Sequence, residues 1–140
     1  SGLVYVGSSI LAGNVGTTFG VDCAGTLTSI GYNLVGNNQA CTFTSLATDQ
    51  VGTPAAPIDA LLGPLGDFGG LTPTHLLLAG SPAIDHGKTT PTGLLSFHCD
   101  AADQRGVARP FDGDATAGAL CDIGATEYVV FVRMPMLAHE

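Results

Sequence analysis

Ser9-Ile10-Leu11-Ala12-Gly13-Asn14 and Tyr32-Asn33-Leu34-Val35-Gly36-Asn37 share one pattern, a short β-prone run closed by Gly-Asn, and the two Gly-Asn pairs lie 23 residues apart. A repeat of that length is characteristic of solenoids. Between the copies, Val21-Asp22-Cys23 and Gly25-Thr26-Leu27-Thr28-Ser29-Ile30 add two more short β-prone runs separated by glycine. One period thus holds about three strands, as does a rung of a parallel β-helix. Gly and Asn recurring at one place suit a sharp corner because both tolerate left-handed backbone. Asn14 and Asn37 could also stack as an amide ladder. The competing reading is a β-sandwich, which shares the short strands and frequent turns but gives no reason for a 23-residue repeat.

Composition points the same way. Twenty Gly and eight Pro in 140 residues disfavour long helices, and only 11% of residues are charged while 45% are hydrophobic. The chain is therefore expected to be folded and all-β, of one domain's size. The balance of 4 Lys+Arg against 12 Asp+Glu gives a net charge of −8. Lys88, Arg105, Arg109 and Arg133 form no basic patch, so nucleic acid is excluded as a partner. Mean hydropathy is positive at +0.35, yet polar residues and glycine interrupt every apolar run well short of the roughly 18 residues a membrane span needs. No signal-peptide pattern opens the chain.

The four cysteines, Cys23, Cys41, Cys99 and Cys121, are even in number, widely spaced and free of any CxxC pair. That spacing favours disulfides over zinc and an oxidising compartment over the cytosol. Three connectivities are open. The local pairing Cys23–Cys41 with Cys99–Cys121 would close loops of about 20 residues, each stabilising by roughly 3 kcal/mol in the chain-entropy treatment.

From Asp49 onward the texture is loop-rich. Val51-Gly52-Thr53-Pro54-Ala55-Ala56-Pro57 leads into Ile58-Asp59-Ala60-Leu61-Leu62-Gly63-Pro64-Leu65, and Ile-Asp recurs at 84–85. The series Asn33-Leu34, Cys41-Thr42-Phe43, Leu61-Leu62-Gly63-Pro64-Leu65, Gly69-Gly70-Leu71-Thr72-Pro73-Thr74-His75, Gly80-Ser81-Pro82-Ala83-Ile84-Asp85, Asp103-Gln104-Arg105-Gly106-Val107-Ala108-Arg109-Pro110 and Cys121-Asp122-Ile123-Gly124-Ala125 runs in order over residues 33–127. It resembles the C-terminal end of bacterial right-handed parallel β-helix surface proteins. These are the choice-of-anchor or CSLREA-type proteins, distant relatives of polymorphic outer-membrane proteins. Two features depart from that family: its many upstream rungs are missing, and no sorting segment is recognisable after Glu127.

The resemblance implies a right-handed parallel β-helix and an exported, cell-surface location. It assigns no common activity, and it supports the local disulfide pairing. Residues 1–98 are then expected to form rungs and connecting loops, and 99–140 a disulfide-stapled C-terminal cap with a terminal strand. Partners would be upstream rungs of the same chain or further copies of it, with a surface glycan as the other candidate.

Candidate chemistry is sparse. Asp59 and Asp85 would lie about 5 Å apart if they occupied equal places in neighbouring rungs, close to the carboxylate spacing of retaining glycosidases. The alternative is that each accepts backbone N–H groups beside a turn. Arg105 and Arg109 could clamp an acidic sugar. Paired instead with Asp103, Asp122 or Glu127, they would fix a non-repetitive loop over the last rung, and this is the favoured reading. Asp112 and Asp114 form a weak calcium corner without the later acidic ligand of an EF-hand loop, and no cofactor is otherwise expected.

Ser81, Asp85 and His86 cannot form a triad in extended chain, where neighbours point to opposite faces. His75, His86, His98 and His139 lack metal-ligand spacing. The apolar run holding Tyr128, Val130, Phe131 and Val132 is too β-prone for a free tail and reads as an assembly strand, added to a neighbouring subunit or packed along the chain's own solenoid. The expected function is a non-catalytic extracellular structural segment, with binding or cleavage of polysaccharide as the alternative.

Overall fold

The structure is a computed structural model that describes residues 3–16, 22–90, 98–113, 115 and 118–130. Six short strands carry its regular part: β1 (Tyr5–Gly7), β2 (Ile10–Leu11), β3 (Ala24–Gly31), β4 (Leu34–Val35), β5 (Ala40–Thr44) and β6 (Gln50–Val51). They form two three-stranded sheets, ordered β1-β3-β5 and β2-β4-β6. Every ladder between these strands is parallel, which an antiparallel sandwich does not produce.

The chain passes from one sheet to the other through left-handed corners. Gly31 sits at φ 105° and Tyr32 at φ 59° between β3 and β4, and Ser8 at φ 42° between β1 and β2. These positions take up the extra residue that separates the real register from the apparent sequence repeat. Tyr5 pairs with Thr28, an offset of 28 − 5 = 23, but the register shifts after Val6, and Ile10 pairs with Leu34, an offset of 34 − 10 = 24. A slip of one residue exchanges the two faces of a strand. Leu34 and Val35, on opposite faces of β4, are both fully buried, so both faces of this strand are covered.

The β-helix expected from the sequence is not formed. The spacing falls to 40 − 24 = 16 between β3 and β5 and to 50 − 34 = 16 between β4 and β6, so no constant repeat exists to propagate a closed coil. Strands end at Val51 among the described residues. Beyond it the backbone makes only isolated antiparallel bridges, Thr53 with Ala56, Leu62 with Leu77, Gly66 with Thr74 and Ala102 with Ala108. Proline explains part of this, because Pro54, Pro57, Pro64 and Pro73 have no N–H to give a ladder. Leu61 at φ 48° and Asp85 at φ 54° bend the chain where a strand would have to continue.

The irregular half instead folds over the sheets. Leu34 from β4 packs with Ala60, Leu77, Ala83, Ile84 and Ile123, flanked by Ile10, Ile58 and Tyr128. Backbone bonds stitch the halves together: Gly124 N–H to Ser8 O at 3.1 Å, Ile58 N–H to Gly36 O at 2.9 Å, and Ile123 N–H to Ala83 O at 2.9 Å within the irregular half. Both disulfides form in the local pairing. Cys23–Cys41 joins the start of β3 to β5 across 18 residues, and Cys99–Cys121 closes a 22-residue loop, with Cα separations of 5.5 and 6.5 Å.

Gly52 sits where the two halves come closest. A Cβ there would lie 2.0 Å from Gly36 O and 2.6 Å from Ile58 N, both backbone atoms unable to move aside. At Gly63 a Cβ would meet its nearest neighbours only at 3.5 Å. We expect Gly52→Ala to lower the unfolding free energy by about 2–3 kcal/mol through overpacking, with Gly63→Ala close to neutral, in urea titrations of the oxidised protein.

Candidate functional site

Among the described residues the buried acids Asp85, Asp103, Asp122 and Glu127 gather in one seam, where the segments around residues 85–87, 103–113 and 120–128 meet. Little regular secondary structure is available here, and the backbone N–H groups still need acceptors. Carboxylates supply them. Asp103 Oδ1 accepts the N–H groups of Arg105 (2.8 Å) and Val107 (3.0 Å), and its Oδ2 accepts that of Glu127 (3.0 Å). Glu127 in turn accepts Phe111 N–H on Oε2 (3.1 Å) and Asp122 N–H on Oε1 (3.0 Å). Asp122 accepts Asp85 N–H on Oδ1 (2.7 Å) and Tyr128 N–H on Oδ2. Asp85 accepts Gly113 N–H (3.0 Å) and Leu120 N–H (3.3 Å).

Two arginines complete the seam. Arg105 donates from Nε (2.9 Å) and Nη2 (2.6 Å) to Asp103 Oδ2 and also from Nη2 to the Glu127 carbonyl. Arg109 Nη2 donates to Gly124 O at 2.9 Å. Its Nε lies 2.9 Å from Glu127 Oε1 as an ion pair, but that N–H is not aligned for a hydrogen bond. Asp122 and Glu127 are almost wholly inaccessible, at 1% and 2%. The structure therefore brings Asp103, Arg105, Arg109, Asp122 and Glu127 together, with Asp85 joining through Asp122.

Burial pushes the Asp122 carboxyl up to about 7. The bonds from Asp85 and Tyr128 N–H oppose this, and the charges of Glu127 and Asp85 reinforce it. Burial also raises Glu127, against the Asp122 N–H bond and the Arg109 charge. Asp103 goes the other way: burial pushes it up, but the bonds from Glu127 N–H, the Arg105 side chain and the N–H groups of Val107 and Arg105 outweigh that and hold it below the usual range. Each seam carboxylate is thus occupied by backbone. Among the described residues no hydrogen-bonded nucleophile and base pair spans it.

The other sequence candidates are dispersed. Asp59 accepts Leu61 N–H at 2.9 Å and lines a cleft beside Ile58, whereas Asp85 borders a different one beside Tyr32. No ladder stacks them. Ser81 Oγ donates to Ala60 O at 2.7 Å, and His86 Nδ1 lies 2.6 Å from Ile84 O, so neither serves Asp85. Lys88 is buried. Asp112 Oδ1 accepts Ala115 N–H at 2.7 Å. Asp114, Phe131, Val132, Arg133 and His139 lie outside the described residues. Among the described residues no group of three His, Cys, Asp or Glu could hold a metal ion. Tyr128, expected in an assembly strand, packs against the chain's own core, while Val130 is half exposed.

The expected amide ladder is also absent. Asn14 bonds to Asp22 and Asn37 accepts Gln39 N–H. The residue that holds the corner is Asn33, which sequence reasoning did not single out. Its Oδ1 accepts Ser9 N–H, and its Nδ2 donates to Val6 O, Ser29 Oγ and Asp49 Oδ1. No spacing signal marks it, because its partners come from three separate turns of the chain.

No protein-family model matches the chain, and no curated protein and no solved structure matches it.

The seam fixes a pH dependence. A carboxyl raised from an ordinary 3.8 to about 7 holds its proton more tightly in the fold, so its contribution is full at low pH and is lost as pH rises through that interval. Glu127 has the same sign. Asp103 has the opposite sign and loses its contribution only as pH falls below about 4. We expect stability to peak at mildly acidic pH and to fall by a few kcal/mol, at about 1.4 kcal/mol per pKa unit, on going to neutral pH. Urea unfolding at pH 4.5 and 7.5 measures this, and Asp122→Asn is expected to shrink the difference while lowering stability at both values.

Proposed function

We propose that this chain is a non-catalytic structural module of the cell exterior, a segment of a stalk, fibre or adhesin held rigid by its two disulfides. The observation that carries the reading is the occupation of the seam. The acidic and basic residues most able to do chemistry accept or donate bonds to this chain's own backbone, leaving none of the four seam carboxylates free to take a proton from a substrate. An enzyme of comparable charge would keep such a pair open to its cleft.

Exported location is supported by the disulfides, since bridges persist in oxidising compartments. Among the described residues no helix is long and apolar enough to cross a membrane. Assembly is supported by the sheets: among the described residues nothing pairs with the outer edges of β1 and β5, and the exposed Leu3, Val4 and Tyr5 border one of them. Open edges of one parallel sheet suit head-to-tail contact between copies or with further strands of the same chain. The resemblance to bacterial surface proteins agrees with both points.

Incubation with neutral and acidic polysaccharides is expected to release neither reducing nor unsaturated ends. Release that disappears in Asp59→Asn or Asp85→Asn would replace this reading with an enzymatic one. Light scattering over rising concentration is expected to show growth into extended species, and a chain that stays monomeric would remove the self-assembling version.

A further inference from the structure

A cleft of about 690 Å³ runs between the β2–β4 corner and the segment after Ile58, and a second of about 480 Å³ continues it toward residues 123–126, the two sharing Ile10, Leu62 and His75. Both volumes fall within the roughly 300–1,000 Å³ of small-molecule sites. Three polar side chains on its wall are each fixed by a single backbone bond. Asp22 Oδ1 accepts Asn14 N–H at 2.9 Å, and Asp59 Oδ1 accepts Leu61 N–H at 2.9 Å. His75 Nδ1 lies 2.7 Å from Gly63 O.

A carbonyl oxygen can only accept, so His75 Nδ1 carries the proton and Nε2 of the neutral ring is an acceptor. Each side chain is thereby oriented by one atom and keeps a second acceptor, Asp22 Oδ2, Asp59 Oδ2 and His75 Nε2. Asp22 Oδ2 lies over Gly36, where a Cβ would come within 2.5 Å of it. The space above this part of the wall therefore depends on glycine.

The lining selects a ligand class. It contains two carboxylates and neither lysine nor arginine, so an anionic sugar is repelled. No three-residue metal group exists among the described residues. Asn14, Asn37, Ser9 and Thr74 add amide and hydroxyl groups to the wall. A lining that mixes acceptors with neutral donors is complemented by hydroxyl groups, which both donate and accept, while Ile10, Ile58 and Leu62 give an apolar surface for the C–H face of a ring.

We propose that this groove binds a neutral oligosaccharide, with Asp22, Asp59 and His75 accepting hydrogen bonds from its hydroxyl groups. The site uses none of the seam's charged side chains and neither assembly edge, so its failure would leave the structural role intact.

The test uses the full oxidised chain. Gluco-, manno-, galacto- and N-acetylglucosamine oligomers are titrated by saturation-transfer NMR and calorimetry, beside uronic-acid oligomers and deacetylated glucosamine oligomers. Saturable binding of at least one neutral oligomer is expected, weakened roughly tenfold by Asp59→Ala and by His75→Ala, the loss of one charge-assisted or neutral hydrogen bond. Leu71→Ser, at a fully exposed position outside the groove, is expected to bind as the parent does. Asp59→Asn, which keeps an acceptor for Leu61 N–H, serves if the alanine variant does not fold. No binding across the neutral panel, equal binding by the groove variants, or binding confined to the acidic or amino oligomers would overturn the proposal.

Discussion

Backbone N–H groups that find no strand partner must find another acceptor once they are buried, and in this chain a connected set of carboxylates provides it. Asp85, Asp103, Asp122 and Glu127 accept nine backbone N–H bonds among them. The set does for the C-terminal half what parallel ladders do for the N-terminal half. It works because each acid is bonded into the next segment: Asp122 to Asp85, Glu127 to Asp122, Asp103 to Glu127. Loss of one acceptor leaves a buried donor exposed to an apolar surround, which costs more than the net worth of the bond itself. The two arginines offset part of the charge, while burial, with a smaller part from the charges of Glu127 and Asp85, raises the Asp122 carboxyl.

The rest of the molecule leans on that seam. Residues 120–128 contribute Ile123 and Tyr128 to the core over Leu34, and the Gly124 N–H closes onto Ser8 at the turn between β1 and β2. The two disulfides act on different parts of the chain. Cys23–Cys41 ties two strands of one sheet, and Cys99–Cys121 ties the loop that carries both seam arginines to the segment that carries Asp122. With strands as short as two residues, the sheets have little stability of their own, so a covalent and electrostatic frame around them is what keeps a single arrangement.

How much of this could be read in advance follows from how local each feature is. Short parallel-type strands and turn glycines were legible because Ile10-Leu11 and Leu34-Val35 are local patterns. Of the three connectivities open to the four cysteines, local spacing and the resemblance together favoured the pair that forms. The grouping of Arg105 and Arg109 with nearby acids was legible because like residues cluster in one loop. The closed solenoid was not justified, since two copies of a 23-residue pattern fix neither the register nor its continuation: the offset moves from 23 to 24 across the left-handed corners at Ser8 and Tyr32 and falls to 16 in the next pairing. The roles of Asn33 and Asp49, and the particular partners of Asp85, were opaque for a related reason. Each is defined by backbone groups 16 to 35 residues away that only the folded chain assembles.

Native-state hydrogen exchange tests the central claim most directly. If the carboxylate seam joins the two halves into one cooperative unit, the amides that donate to it, those of Asp85, Phe111, Asp122, Glu127 and Tyr128, exchange with the same opening free energy as Gly36 and Gly52 in the sheets, and all respond alike to denaturant. Seam amides that open at markedly lower free energy while the sheet amides stay protected would contradict it.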